Sequence, residues 1–153
     1  MKKQYSWKKD SWLSTRKYDA NEVGYEIEQI DKTYGVVTAE KVVERAENEN
    51  NLLHDYFEWN NDKAGHLWRL QQARVLIASV EVTYINEKKK EPVTVRAFVN
   101  TKREQGYQRI EKVVSDVDRY QMLLDKAYDD LRVVRDKYAE LQEIQEKLSF
   151  LDE

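Results

Sequence analysis

His54 and His66 are the only histidines in a 153-residue chain that has no cysteine, so thiolate metal sites and thiol nucleophiles are excluded. His54 and Glu58 stand four residues apart, close enough on a helix to share a metal. One imidazole and one carboxylate nevertheless make a poor site, because stable metal binding needs three or four such ligands. Leu53, Tyr56 and Phe57 surround His54 in sequence and make it a hydrogen-bonded cap or core-edge residue instead. His66 stands near Arg69 and carries no catalytic weight. No glycine-rich phosphate loop, dinucleotide fingerprint or nucleophile motif is present. The carboxylates fall on helix faces at the spacing of solvated surfaces, without convergence on an apolar pocket. The expectation is no catalytic residue, no metal and no cofactor; a small hydrolase-like enzyme is a distant third reading.

The cations are more informative, because the net charge of -3 is unevenly spread. Residues 1–17 sum to +5, 18–79 to -6, 80–110 to +3 and 111–153 to -5. The first basic island interleaves Tyr5, Trp7 and Trp12 with Lys2, Lys3, Lys8 and Lys9. Rings that stack on bases and lysines that displace counterions suit a nucleic-acid arm. The plainer reading is a solubilising tail whose tryptophans tuck onto the domain. The second island is Lys88-Lys89-Lys90, and Arg69 and Arg74 complete the candidate nucleic-acid set.

Helices and one hairpin must position these groups. Val23, Ile27 and Ile30 outline an amphipathic helix ending near Gly35, and Thr38 reads as the N-cap of the next. Ala39, Val42, Val43 and Ala46 form that second helix's apolar face, with Glu40, Glu44 and Glu47 opposite. Asn60, Asn61 and Asp62 supply a cap for a helix reaching Ser79. That helix is apolar on two sides, which predicts packing between layers with Trp68 in the core beside Trp59 and Phe57. Arg69 and Arg74 are expected to pair with Glu58, Asp55 or Asp62.

The period then changes to two. Val80, Val82 and Tyr84 alternate with polar residues, as do Val93, Val95, Ala97 and Val99, giving a β-hairpin with a basic tip. Ser115 with Asp118 resembles a capping box. Val117, Tyr120, Leu124, Ala127, Leu131, Val134, Tyr138 and Leu141 then follow at heptad spacing. A continuous helix of roughly 35 residues would run about 52 Å. It would have to project, fold back or pair, and pairing with a second copy through Val117, Tyr120, Leu124, Leu131, Val134, Tyr138 and Leu141 is preferred.

Several stretches resemble small uncharacterised proteins encoded by temperate bacteriophages and prophages. They are Val23-Gly24 with Glu26 and Ile30, Thr38-Ala39-Glu40 with Val42-Val43 and Ala46, and a denser block from Leu53 to Ile77. That block holds Leu53-His54, Phe57-Glu58-Trp59, Ala64, Arg69, Gln72-Ala73-Arg74 and Leu76-Ile77. Tyr107, Ile110, Ser115-Asp116, Leu131, Tyr138 and Leu141 extend the likeness to about residue 145. The resemblance implies a phage origin and a bacterial cytoplasmic setting, but brings no activity.

The sequence thus predicts an α+β, mostly helical chain: a basic aromatic arm over 1–17, a helical body with a β-hairpin over 18–106, and a coiled-coil-like helix over 107–153. No apolar run is long enough to cross a membrane or form a signal-peptide core. The leading functional expectation is a non-enzymatic phage accessory protein that binds a host or phage protein, in DNA metabolism or an anti-host role. The alternative is a dimeric winged-helix-like DNA-binding protein that uses the arm and the hairpin tip.

Overall fold

Tyr5 and Trp7 alternate with Gln4 and Ser6, and this period of two places β1 (Gln4–Trp7) in the sheet instead of in a free arm. The computed structural model describes residues 3–15, 18–60, 63–101 and 106–153. β1 pairs antiparallel with β2 (Val80–Asn86), which pairs with β3 (Glu91–Arg96), so the order is β1-β2-β3. Tyr5 stands opposite Val82, and Val82 opposite Val95. The turn at 87–90 carries Lys88, Lys89 and Lys90, and Lys90 takes a positive φ of 56°.

Helices cover this sheet. α1 (Ala20–Tyr34) begins at a capping box between Asp19 and Glu22 and ends on Gly35, whose φ of 76° suits the left-handed turn. α2 (Ala39–Ala46) is capped by Thr38, whose hydroxyl accepts from the Lys41 N–H. A 3-10 turn at Leu52–Tyr56 leads towards α3 (Lys63–Ser79), which runs directly into β2. Of the cap expected at Asn60–Asp62, Asn61 and Asp62 lie outside the described residues. Val23, Ile27 and Ile30 of α1 meet Val42 and Val43 of α2 and Leu70, Ala73, Leu76 and Ile77 of α3 in one core, closed by Val80, Val82 and Phe98.

A second sheet pairs β4 (Phe98–Asn100) with β5 (Tyr107–Arg109), and Val37 and Tyr107 exchange backbone hydrogen bonds of 2.7 and 2.6 Å. α4 (Ile110–Val114) follows, with Val113 fully buried. Residues 107–114 therefore pack into the body, and the terminal helix starts at Val117, the first residue of the heptad stripe.

α5 (Val117–Lys137) is capped by Asp116, which accepts from the Arg119 N–H, in place of the Ser115–Asp118 box. Its 21 residues span about 31 Å, not 52 Å. The chain then turns, and α6 (Gln142–Lys147) and a 3-10 turn at Ser149–Asp152 fold back on α5. Tyr138 and Leu141 become the caps flanking this turn, so the stripe does not run through one helix. The architecture is α+β and mostly helical, and no helix among the described residues is long and apolar enough to cross a membrane.

Candidate interaction site

α3 buries only one of its two apolar sides. Leu70, Ala73, Leu76 and Ile77 enter the core, whereas Leu67 and Trp68 are 69% and 55% exposed. The expectation of a helix packed between layers, with Trp68 in the core, is overturned here. The physical reason is that α2 and β2 occupy one side of α3, while the other meets short segments, the turn at Trp12–Thr15 together with Tyr56 and Glu58, that leave Leu67 and Trp68 uncovered. Trp68, Gln71, Gln72, Val75 and Leu76 share one helical face and form one wall of a groove of about 190 Å³. Trp12, 56% exposed, stands with Leu13 and Tyr56 around the rest of it. Among the described residues no side chain lining this groove is charged.

The candidate nucleic-acid residues do not converge. Lys2 lies outside the described residues. Lys3 is engaged by Glu28, 2.7 Å from its Nζ. Lys8 and Lys9 are exposed where β1 meets the start of β2, since the Lys8 N–H bonds to the Ser79 carbonyl. Lys88, Lys89 and Lys90 are exposed at the far end of β2. Six strand steps from Val80 to Asn86 put about 20 Å between the two islands. Arg74 is exposed on α3. Arg69 donates to the backbone carbonyls of Glu58 and Asn60, at 3.3 Å each, and lies over the Trp59 ring; Asp62, one of its expected carboxylate partners, lies outside the described residues. Asp55 instead accepts from the Tyr18 hydroxyl.

His54 is a structural residue. Its Nδ1 is 2.8 Å from the Ala46 carbonyl, and its ring stacks on Trp59 at 4.8 Å. His66 is exposed. Among the described residues no group of three or more acidic or imidazole side chains is arranged to hold a metal ion.

A buried charge cluster is the feature that sequence reasoning missed. Glu28 and Asp31 of α1 are 3% and 2% exposed, although they were expected on a solvated face. Lys3 Nζ and the Tyr5 hydroxyl donate to Glu28 Oε2 at 2.7 and 2.5 Å, while Lys32 Nζ lies 3.1 Å from Oε1. Arg109 of β5 donates through Nε to Asp31 at 2.7 Å and approaches Glu28 at 3.4 Å. Lys3 also lies 3.7 Å from Glu111 of α4. Burial alone would raise the Glu28 pKa, but hydrogen bonds from Lys3, Tyr5 and Lys32 outweigh it and hold the carboxyl at about 2. Burial, reinforced by the bond to Glu28, pushes the Tyr5 phenol well above its ordinary value. Burial works against the Arg109 charge, yet Asp31, Glu28 and Glu111 keep its pKa raised.

This cluster ties β1, α1, β5 and α4 together, and its Glu28 carboxyl is held far below the range in which it could exchange a proton near neutral pH. One signal for it existed in the sequence. Gly24, Glu28 and Asp31 lie at i, i+4 and i+7, a face next to Val23, Ile27 and Ile30. Comparison with protein-family models, curated proteins and solved structures returned no match.

Proposed function

We propose that this chain is a non-enzymatic phage accessory protein that acts in the bacterial cytoplasm by binding a protein through the groove between Trp12 and Trp68. The carrying observation is a groove whose described lining is uncharged, with two exposed tryptophans and Leu67 beside it. Exposed aromatic surface of this kind marks protein interfaces, whose centres are depleted of charge and whose binding energy concentrates in tryptophan. The phage setting rests on the resemblance of residues 20 to about 145 described above. The absence of an enzymatic role is supported by the engagement of the buried Glu28 and Asp31 carboxylates by Lys3, Lys32 and Arg109.

Trp68→Ala and Leu67→Asp are expected to weaken partner binding at least tenfold while changing stability by less than about 0.5 kcal/mol, since neither side chain is buried. Parallel binding and thermal-melt measurements check this. Equal loss of binding and of Tm would assign both residues to folding. The same reading includes pairing of two copies through α5, supported by the spacing of Val117, Tyr120, Leu124, Leu131 and Val134.

A second reading, a winged-helix-like DNA-binding protein, is favoured by one observation: α3 leads into a hairpin whose tip exposes Lys88, Lys89 and Lys90. It predicts DNA binding that falls steeply with salt and is lost when the three lysines become glutamate. Binding insensitive to salt, or unchanged in that triple variant, contradicts it.

A further inference from the structure

We propose that the C-terminal segment Leu141–Asp152 is an autoinhibitory stand-in for a second copy of this chain, folded on the flank of α5 that the copy would use. The proposal rests on the reading of α5 as a pairing helix. With Val117, Leu124 and Leu131 as a positions and Tyr120, Ala127 and Val134 as d positions, Tyr128 and Arg135 fall at e and Asp130 at g. In a parallel pair the g position of one helix faces the following e position of the other. Asp130 of one chain would then meet Arg135 of the other, and two such pairs of opposite charge would flank the Leu131 layer. An antiparallel arrangement would set Arg135 near other e positions and lose this match.

In the folded monomer the same e-flank residues are already taken. Arg135 Nη1 donates to Asp152 at 2.7 Å, and the Tyr128 ring lies 6.3 Å from that of Phe150. Leu151, the one buried residue of the closing turn, sits between these two contacts in sequence. Asp152 thus occupies the cation that Asp130 of a second copy would seek, and Phe150 meets an aromatic side chain beside the seam.

The turn that permits this is not encoded by a helix breaker. Tyr138-Ala139-Glu140-Leu141 contains no Gly or Pro. Instead the Gln145 side chain donates to the Arg135 and Tyr138 carbonyls, at 2.9 and 3.0 Å, and satisfies the helix end from outside. A helix end held by a returning side chain can be released, whereas one set by proline cannot. Much of the a and d face stays available: no residue of α5 is fully buried, and Val117 and Val134 are exposed, while Lys88 of the hairpin tip lies over the Tyr120 ring.

Sedimentation equilibrium of the full chain across a concentration series tests this. In the variant Phe150→Ser, Leu151→Ser, Asp152→Asn, the dimer dissociation constant is expected to fall at least tenfold. Phe150→Ala with Asp152→Asn gives a milder form of the same change should the triple variant fold poorly. Adding Leu124→Asp and Leu131→Asp is expected to return either variant to monomer. Asp130→Arg and Arg135→Asp chains, each in the released background, should stay monomeric alone and pair when mixed. Dimers of equal strength with and without release overturn the stand-in role and leave pairing intact. Monomers throughout overturn both, and pairing of either charge variant alone overturns the parallel register.

Discussion

Glu28→Ala is expected to cost about 3–5 kcal/mol of folding stability, the range for breaking a buried ion pair by removing one partner. The change leaves the Tyr5 hydroxyl and the Lys3 ammonium without their shared acceptor, and leaves Arg109 with Asp31 alone as its carboxylate hydrogen-bond acceptor. For a chain of this size the loss corresponds to a fall in Tm of roughly 6–20 °C. β1 should loosen first, because Lys3 and Tyr5 are its ties to α1. Hydrogen exchange at Tyr5 and Trp7 would then rise more than at Val82. Glu28→Gln keeps an acceptor for the phenol and should cost less.

The pH dependence has a fixed sign. Glu28 has a folded pKa of about 2 against an ordinary value of 4.5. Its stabilisation is therefore complete above pH 4.5 and is lost as pH falls towards 2. A shift of this size corresponds to about 3 kcal/mol. The stability gap between the wild-type chain and Glu28→Gln, measured by thermal melts, should be constant near neutrality and narrow through that acid window. A gap that widens on acidification would contradict the assignment.

Gly24→Val carries the second large effect, of about 3 kcal/mol. A Cβ at Gly24 would stand 2.2 Å from Tyr5 Cγ and 2.7 Å from Tyr5 Cβ, so the root of the tyrosine side chain itself must move. The ring is wedged between Tyr25, edge-on at 5.2 Å, and Phe98, stacked at 6.1 Å, and has no free direction. Displacing it forfeits about 2 kcal/mol of apolar burial and the bond to Glu28 besides. Glycine is needed here for close approach and not for backbone freedom, since Gly24 lies inside a regular helix. A double-mutant cycle isolates the cause. In a Tyr5→Gly background, which removes the Cβ 2.7 Å away as well as the ring, the same valine should cost less than about 1 kcal/mol, and additive costs would contradict the clash.

Local patterns carried much of this architecture. Val23, Ile27 and Ile30 with Gly35, Thr38 before α2, and the alternating valines of the hairpin each report a period or a cap that neighbours in sequence determine. The features that escaped depend on distant partners. Glu28 and Asp31 look like solvated carboxylates until Arg109, 81 and 78 residues away, is brought against them by β5. Trp68 looks like core because α3 has two apolar sides, and tertiary contacts alone decide which side is covered. The end of α5 at Lys137 has no local cause, because Gln145 caps it from the returning segment. The strand at Gln4–Trp7 was legible in principle, as a short alternation partly masked by the surrounding lysines.

The proposed site rests on both kinds of information. Trp12 and Trp68 are visible in the sequence as aromatics, but their joint exposure around one groove arises only in the fold. The most direct measurement replaces Leu67 with a photo-crosslinking amino acid and illuminates the full chain in lysate of host cells, with the same probe at Glu40 as reference. The predicted result is one discrete protein adduct from position 67, retained at high salt, lost with Trp68→Ala and absent from position 40. Adducts to nucleic acid, or the same adduct from both positions, would contradict the account.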